Sequence, residues 1–179
     1  VAAAEGCAIA AGSEAAGAAA LGQDVAGLAG LSPCGAKVTA DAAELFRGAD
    51  AVIDFSVPAA TLIHARLAAE TGRALVIGTT GLGPEHDAAL ASAAKKAVIV
   101  RAANFSVGVN LALGLAERAA GVLGADYDIE ILDMHHRDKV DAPSGTALAL
   151  GEAVAAGRGV ALAQKSVRAR DGHTGARKK

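Results

Sequence analysis

Aromatic side chains are nearly missing from this 179-residue chain: it has no Trp, one Tyr and three Phe. With so few aromatics to stack on bases, the composition argues against a base-stacking surface. Charge of one sign is missing too, since 17 Lys and Arg face 19 Asp and Glu for a net charge of −2. No field results that would draw nucleic acid or an anionic membrane. Two cysteines, Cys7 and Cys34, are too few for a disulfide framework or a zinc site, and a reducing cytoplasm is the simplest setting. Gly, Asp, Glu or Lys interrupts every apolar run before it reaches membrane-spanning length. No basic segment precedes the Ala-rich start, where Glu5 already places an acid, so nothing reads as a signal peptide. The chain opens at Val1 without methionine and stops at Arg177-Lys178-Lys179, which reads as an internal fragment of a longer protein.

What is present is small and apolar. Hydrophobic residues make up 53% and alanine dominates them, which allows a core and argues against disorder. Strand-like and helix-like runs alternate. Short strands are expected at Cys7 to Ala11, Ala51 to Phe55, Ala74 to Ile77 and Ala97 to Arg101. Helices are expected between them at Ala40 to Arg47, Ala59 to Glu70 and Pro84 to Lys95. Pro58 suits a first helical turn and Gly72 a left-handed cap. This order predicts an α/β fold, a Rossmann-like parallel sheet with crossover helices, and the near-continuous apolar strands suggest cover on both faces. The pattern then changes to a helix at Asn110 to Leu123, a strand at Tyr127 to Met134 and a helix at Ala147 to Ala156. A boundary near Asn104-Phe105 divides the α/β part, 1–104, from a partial α+β domain, 105–179.

In open parallel sheets, ligands sit beyond the carboxyl ends of the strands, and three such ends carry unusual residues. The first leads to Glu14, an acid suited to a ribose hydroxyl, or else a solvated surface side chain. Gly78-Thr79-Thr80-Gly81 offers close backbone approach and two hydroxyls, or an ordinary turn. Ala102-Ala103-Asn104-Phe105 offers an apolar and amide surface for a flat ring, or simple packing. No G-x-G-x-x-G pyrophosphate loop occurs, and its usual place about 20 residues before the acid lies ahead of Val1. The chain as given should therefore bind a dinucleotide poorly.

The densest polar cluster runs from Asp133 to Thr146. Adjacent His135 and His136 point to opposite sides of an extended segment, which disfavours a shared metal and leaves one imidazole for acid or ligand work. Lys139 brings a cation, and Ser144-Gly145-Thr146 open a helix whose amides favour a carboxylate. The alternative is a solvated charged loop with a helix cap. His64 and His86 fall on helices as surface or partly packed residues, while His173 sits in a turn without a derivable role.

The runs Val52 to Ser56, Val76 to Gly81, Ala102 to Asn110, His135 to Ala147 and Gly172 to Gly175 together resemble the dihydrodipicolinate reductase family over essentially the whole chain. The resemblance implies an NADH- or NADPH-dependent oxidoreductase of lysine and diaminopimelate biosynthesis, cytoplasmic and homotetrameric. It would reduce 4-hydroxy-tetrahydrodipicolinate in a cleft between two domains. By motif position it implies His135 and Lys139 as catalytic proton donors, and His136, Gly145 and Thr146 as substrate-binding residues. Glu14, Gly78, Thr79, Thr80, Ala102, Ala103, Asn104 and Phe105 correspond to cofactor-binding positions. The family's first strand, its glycine-rich loop and its C-terminal part have no counterpart here. Ala15-Ala16 replace the basic residue that often follows the ribose acid, which predicts a preference for NADH. Two other readings remain at this stage: a non-catalytic fragment or binding module that keeps the fold, and an unrelated dehydrogenase on the same fold, which would not need the His135 to Thr146 series.

Overall fold

The structure is a computed structural model and describes residues 1–137, 141–169 and 171–173. It falls into two compact units, Val1–Arg101 and Ala102–Lys179.

In the first unit the order is β1 (Gly12–Ser13), α1 (Val25–Leu28), β2 (Val38–Thr39), α2 (Ala42–Gly48), β3 (Ala51–Asp54), α3 (Pro58–Thr71), β4 (Ala74–Ile77), α4 (Pro84–Ala93) and β5 (Ile99–Arg101). All strand pairs between these elements are parallel, in two ladders ordered β1-β2 and β3-β4-β5. The fold is α/β, as the alternation of runs implied. Local chemistry sets the helix ends. Asp41 caps α2 by accepting from the amides of Ala43 and Glu44, Pro58 begins α3, and Gly72 closes it at φ 70°.

Phe46 of α2, Val52 of β3, Ala65 and Ala68 of α3, Leu75 and Ile77 of β4, and Leu90 of α4 form the core. Strand register explains which side they share. Val52 pairs with Leu75 and Leu75 with Ile99, a row facing the helices. The next row, Ile53, Val76 and Val100, points the other way, and Ile53 is 55% and Val100 44% exposed. The expected two-sided cover is therefore corrected: within the first unit, the helices cover only one face of this sheet. Right-handed crossovers running in one direction along the sheet put their helices on one side.

Other boundaries also differ. The run Cys7 to Ala11 forms no strand; pairing begins only at β1, where Gly12 and Ser13 meet Val38 and Thr39. His64 and His86 are buried, not superficial. His86 bends back so that its Nδ1 accepts the amide of Gly83 at 3.1 Å, capping α4.

The second unit holds α5 (Val107–Val122), β6 (Asp141–Ala142), α6 (Gly145–Gly157), α7 (Leu162–Lys165) and β7 (Gly172–His173). Helices α5 and α6 pack at a glycine crossing: a Cβ on Gly157 would lie 2.1 Å from the Glu117 carbonyl oxygen. Strands β6 and β7 pair antiparallel, so Gly172–His173 lies beside the chain that leads into α6. Tyr127 to Met134, expected as a strand, has no ladder partner among the described residues, and Leu132 and Met134 are 84% and 79% exposed. Extended sequence becomes sheet only where a neighbour supplies hydrogen bonds.

Candidate active site

In the first unit, β3 and β4 end side by side, with Asp54 paired to Ile77 and the Gly78 amide donating to the Asp54 carbonyl at 2.8 Å. The loops beyond them share a buried polar cluster. The Asp54 carboxylate accepts from the Ser56 amide at 3.0 Å, the Ser56 hydroxyl, the Thr61 hydroxyl at 2.8 Å and the Thr79 hydroxyl at 3.1 Å. His64 Nδ1 stands 3.1 Å from Asp54 Oδ2, close enough for strong attraction though off the line of a good hydrogen bond. Burial pushes the Asp54 carboxyl up, but His64, Ser56 and Thr61 together outweigh it and hold the group well below the ordinary carboxylate range.

Because that depression exists only in the folded state, Asp54 adds stability above its unfolded value of about 3.9, and the contribution is lost as pH falls below it. Urea midpoints should therefore drop below about pH 4 in the native protein. They should drop less steeply in Asp54→Asn, and an unchanged acid limb would contradict the assignment.

Only one of the two hydroxyls expected at the Gly78–Thr80 turn faces outward. Thr79 is buried and its hydroxyl is used internally, whereas Thr80 is exposed. Phe55, which had no assigned role, lays its ring over Gly78, where a Cβ would come within 2.2 Å of the ring. An aromatic next to a strand-end acid, in a chain with three Phe, was the available signal. Glu14 is exposed beyond β1, with one carboxylate oxygen accepting the amide of Ala15 at 2.9 Å.

In the second unit, the Asn104 side chain accepts the Ser106 amide at 2.7 Å, and its carbonyl accepts from Asn110 Nδ2 at 3.0 Å. This shapes the turn into α5, so the Asn104 side-chain oxygen is already engaged. Ala102 and Asn104 are half-buried, while Ala103 and Phe105 are exposed.

The same unit gathers the polar cluster. His135 Nε2 lies 2.9 Å from Asp133 Oδ1 and 3.0 Å from Oδ2. Ser144, buried at the start of α6, accepts the Ala147 amide at 3.0 Å, and its hydroxyl stands beside Asp133. That hydroxyl holds the Asp133 carboxyl below its usual range; partial burial opposes it and His135 adds to the lowering. Asp133 thus ties the imidazole to the amino end of α6, a role the sequence did not reveal. Gly145 and Thr146 are exposed there, and helix geometry leaves their amides without an acceptor inside the helix. His136 is exposed, whereas Lys139 lies outside the described residues, as do Thr174 and Gly175.

Residues 1–105 match the family "Dihydrodipicolinate reductase, N-terminus" and residues 108–179 match "Dihydrodipicolinate reductase, C-terminus". The chain belongs to the dihydrodipicolinate reductase family. It is 53% identical over 173 residues to the 4-hydroxy-tetrahydrodipicolinate reductase of Rhodopseudomonas palustris strain BisB18, covering 97% of this chain and 64% of that protein. The corresponding reductase of Parvibaculum lavamentivorans is 56% identical over 175 residues, covering 97% and 65%. A solved dipicolinate-bound dihydrodipicolinate reductase from Paenisporosarcina sp. TG-14 matches with a TM-score of 0.58 and 30% identity, over 71% of this chain and 48% of that one. This family member thus spans about 64% of the length of the first of these relatives.

The residues present fit two parts of a nicotinamide dinucleotide. The edge formed by half-buried Gly78 and exposed Thr80, beside Phe55, suits a flat ring, and Glu14 suits a ribose hydroxyl. The helix-opening glycine loop that would hold the pyrophosphate is not in the chain.

Proposed function

We propose that this family member, in its full-length form, reduces 4-hydroxy-tetrahydrodipicolinate with NADH or NADPH in cytoplasmic lysine and diaminopimelate biosynthesis. Residues 1–104 serve as the dinucleotide-binding domain and 105–179 as the substrate-binding domain, which also builds a homotetramer. The observation that carries the reading is the linkage of His135 through Asp133 to the opening of α6. It sets an acid–base side chain and free main-chain donors around one locus, as an anionic, proton-accepting substrate requires.

When bound, the cofactor supplies a hydride to one carbon of the cyclic dicarboxylate. Gly145 and Thr146 hold a carboxylate of that ring through their amides, and His136 assists in binding it. His135 keeps Nε2 on Asp133 and delivers a proton to the carbanion-like centre that hydride addition creates, with Lys139 as the second donor. Gly78 and Thr80 meet the nicotinamide side with Thr79 holding them from within, Ala102 to Phe105 also bind the cofactor, and Glu14 takes the adenosine ribose.

The test is NADH oxidation by the full-length protein with enzymatically generated substrate. Absence of turnover with either cofactor would refute the reading. Within that assay, kcat/KM is expected to favour NADH, because Ala15-Ala16 offer nothing to neutralise a 2′-phosphate. A strong NADPH preference would overturn the specificity assignment alone.

A further inference from the structure

The buried cluster beneath the Gly78–Thr80 turn has no part in proton transfer, yet it is the densest polar assembly in the first unit. An uncompensated carboxylate in such a place would be costly, so the partners around Asp54 are structural necessities. Their arrangement does more than neutralise it. The Thr79 hydroxyl has one proton, which goes to Asp54 Oδ1 at 3.1 Å, while its lone pair accepts the Ser56 amide at 2.9 Å. One side chain therefore clamps the loop after β4 to the loop after β3. With Thr79 held inward, the adjoining Thr80 is exposed.

We propose that Asp54 is a positioning residue for the cofactor: through Thr79 it fixes the Gly78–Thr80 edge in its binding shape before the nicotinamide arrives. The proposal rests on the reading of that turn as the nicotinamide side, and adds a residue that touches no ligand. Thr61 and His64 of α3 brace Asp54 from behind, at 2.8 Å and 3.1 Å, so the clamp is anchored to a 14-residue helix and not to another loop. A turn ordered in advance spares the ligand the cost of ordering it.

In the full-length protein, Thr79→Val keeps the shape of the side chain and removes its hydrogen bonds to Asp54 and Ser56, whereas Thr79→Ser restores them. The dissociation constant for NADH, read by its fluorescence without second substrate, should rise about tenfold in Thr79→Val and recover in Thr79→Ser. Amide exchange at Gly78 to Gly81 in the ligand-free protein should quicken in parallel. Val52→Ala weakens the packing of β3, the strand that carries Asp54, from the core side and should leave both readouts unchanged. If Thr79→Val lowers thermal stability but binds NADH as Val52→Ala does, with a turn that exchanges at the native rate, the positioning role is overturned. Failure of the unsubstituted protein to bind either cofactor would instead remove the cofactor reading itself, before any substitution is made.

Discussion

If the full-length protein has the proposed reductase activity, His135→Ala is expected to lower kcat by about 10²- to 10⁴-fold, the usual contribution of a positioned acid. The cofactor dissociation constant should stay within about twofold. The split follows from where the side chain stands. His135 lies 2.9 Å from Asp133, and Asp133 beside the Ser144 that caps α6, all within the second unit. Initial rates at saturating cofactor, set beside direct NADH binding, decide the matter, and equal losses in both would argue against an acid at this position.

The second large effect concerns packing. Gly157→Ala would normally gain about 1 kcal/mol of helix propensity. Here its Cβ would sit 2.1 Å from the Glu117 carbonyl oxygen and 3.1 Å from the Ala120 Cβ, and backbone cannot retreat as a flexible side chain can. Helices α5 and α6 must separate, and we expect a net loss of about 2 kcal/mol or more. Gly114→Ala on α5, with open space around the added methyl, should gain up to about 1 kcal/mol instead. Thermal denaturation of the two variants should move in opposite directions; a stabilised Gly157→Ala would show that the crossing is looser than described.

Much of the first unit was legible because its signals are local. The strand at Ala74 to Ile77 lies between Arg73 and Gly78, and α3 runs from a proline to a left-handed glycine, so both could be placed almost to the residue. The two-residue β2 has no periodicity to read. Nor does sequence tell which side of a sheet its helices take, which is why two-sided cover was expected and one-sided cover found. The Asp54 cluster escaped notice because its members, at positions 54, 56, 61, 64 and 79, meet only once parallel strands align. In the second unit the motif from His135 to Thr146 was plain. That Asp133 joins its two ends depends on a return of the chain which spacing does not encode.

The open row Ile53, Val76 and Val100 has a colloidal consequence. Three branched apolar side chains lie in line across adjacent strands, on a chain whose net charge is only −2. Such a surface has little repulsion to keep like molecules apart. The solubility of this stretch of polypeptide is accordingly governed by whatever shields that row from water, and salting-out ions will find it a weak point.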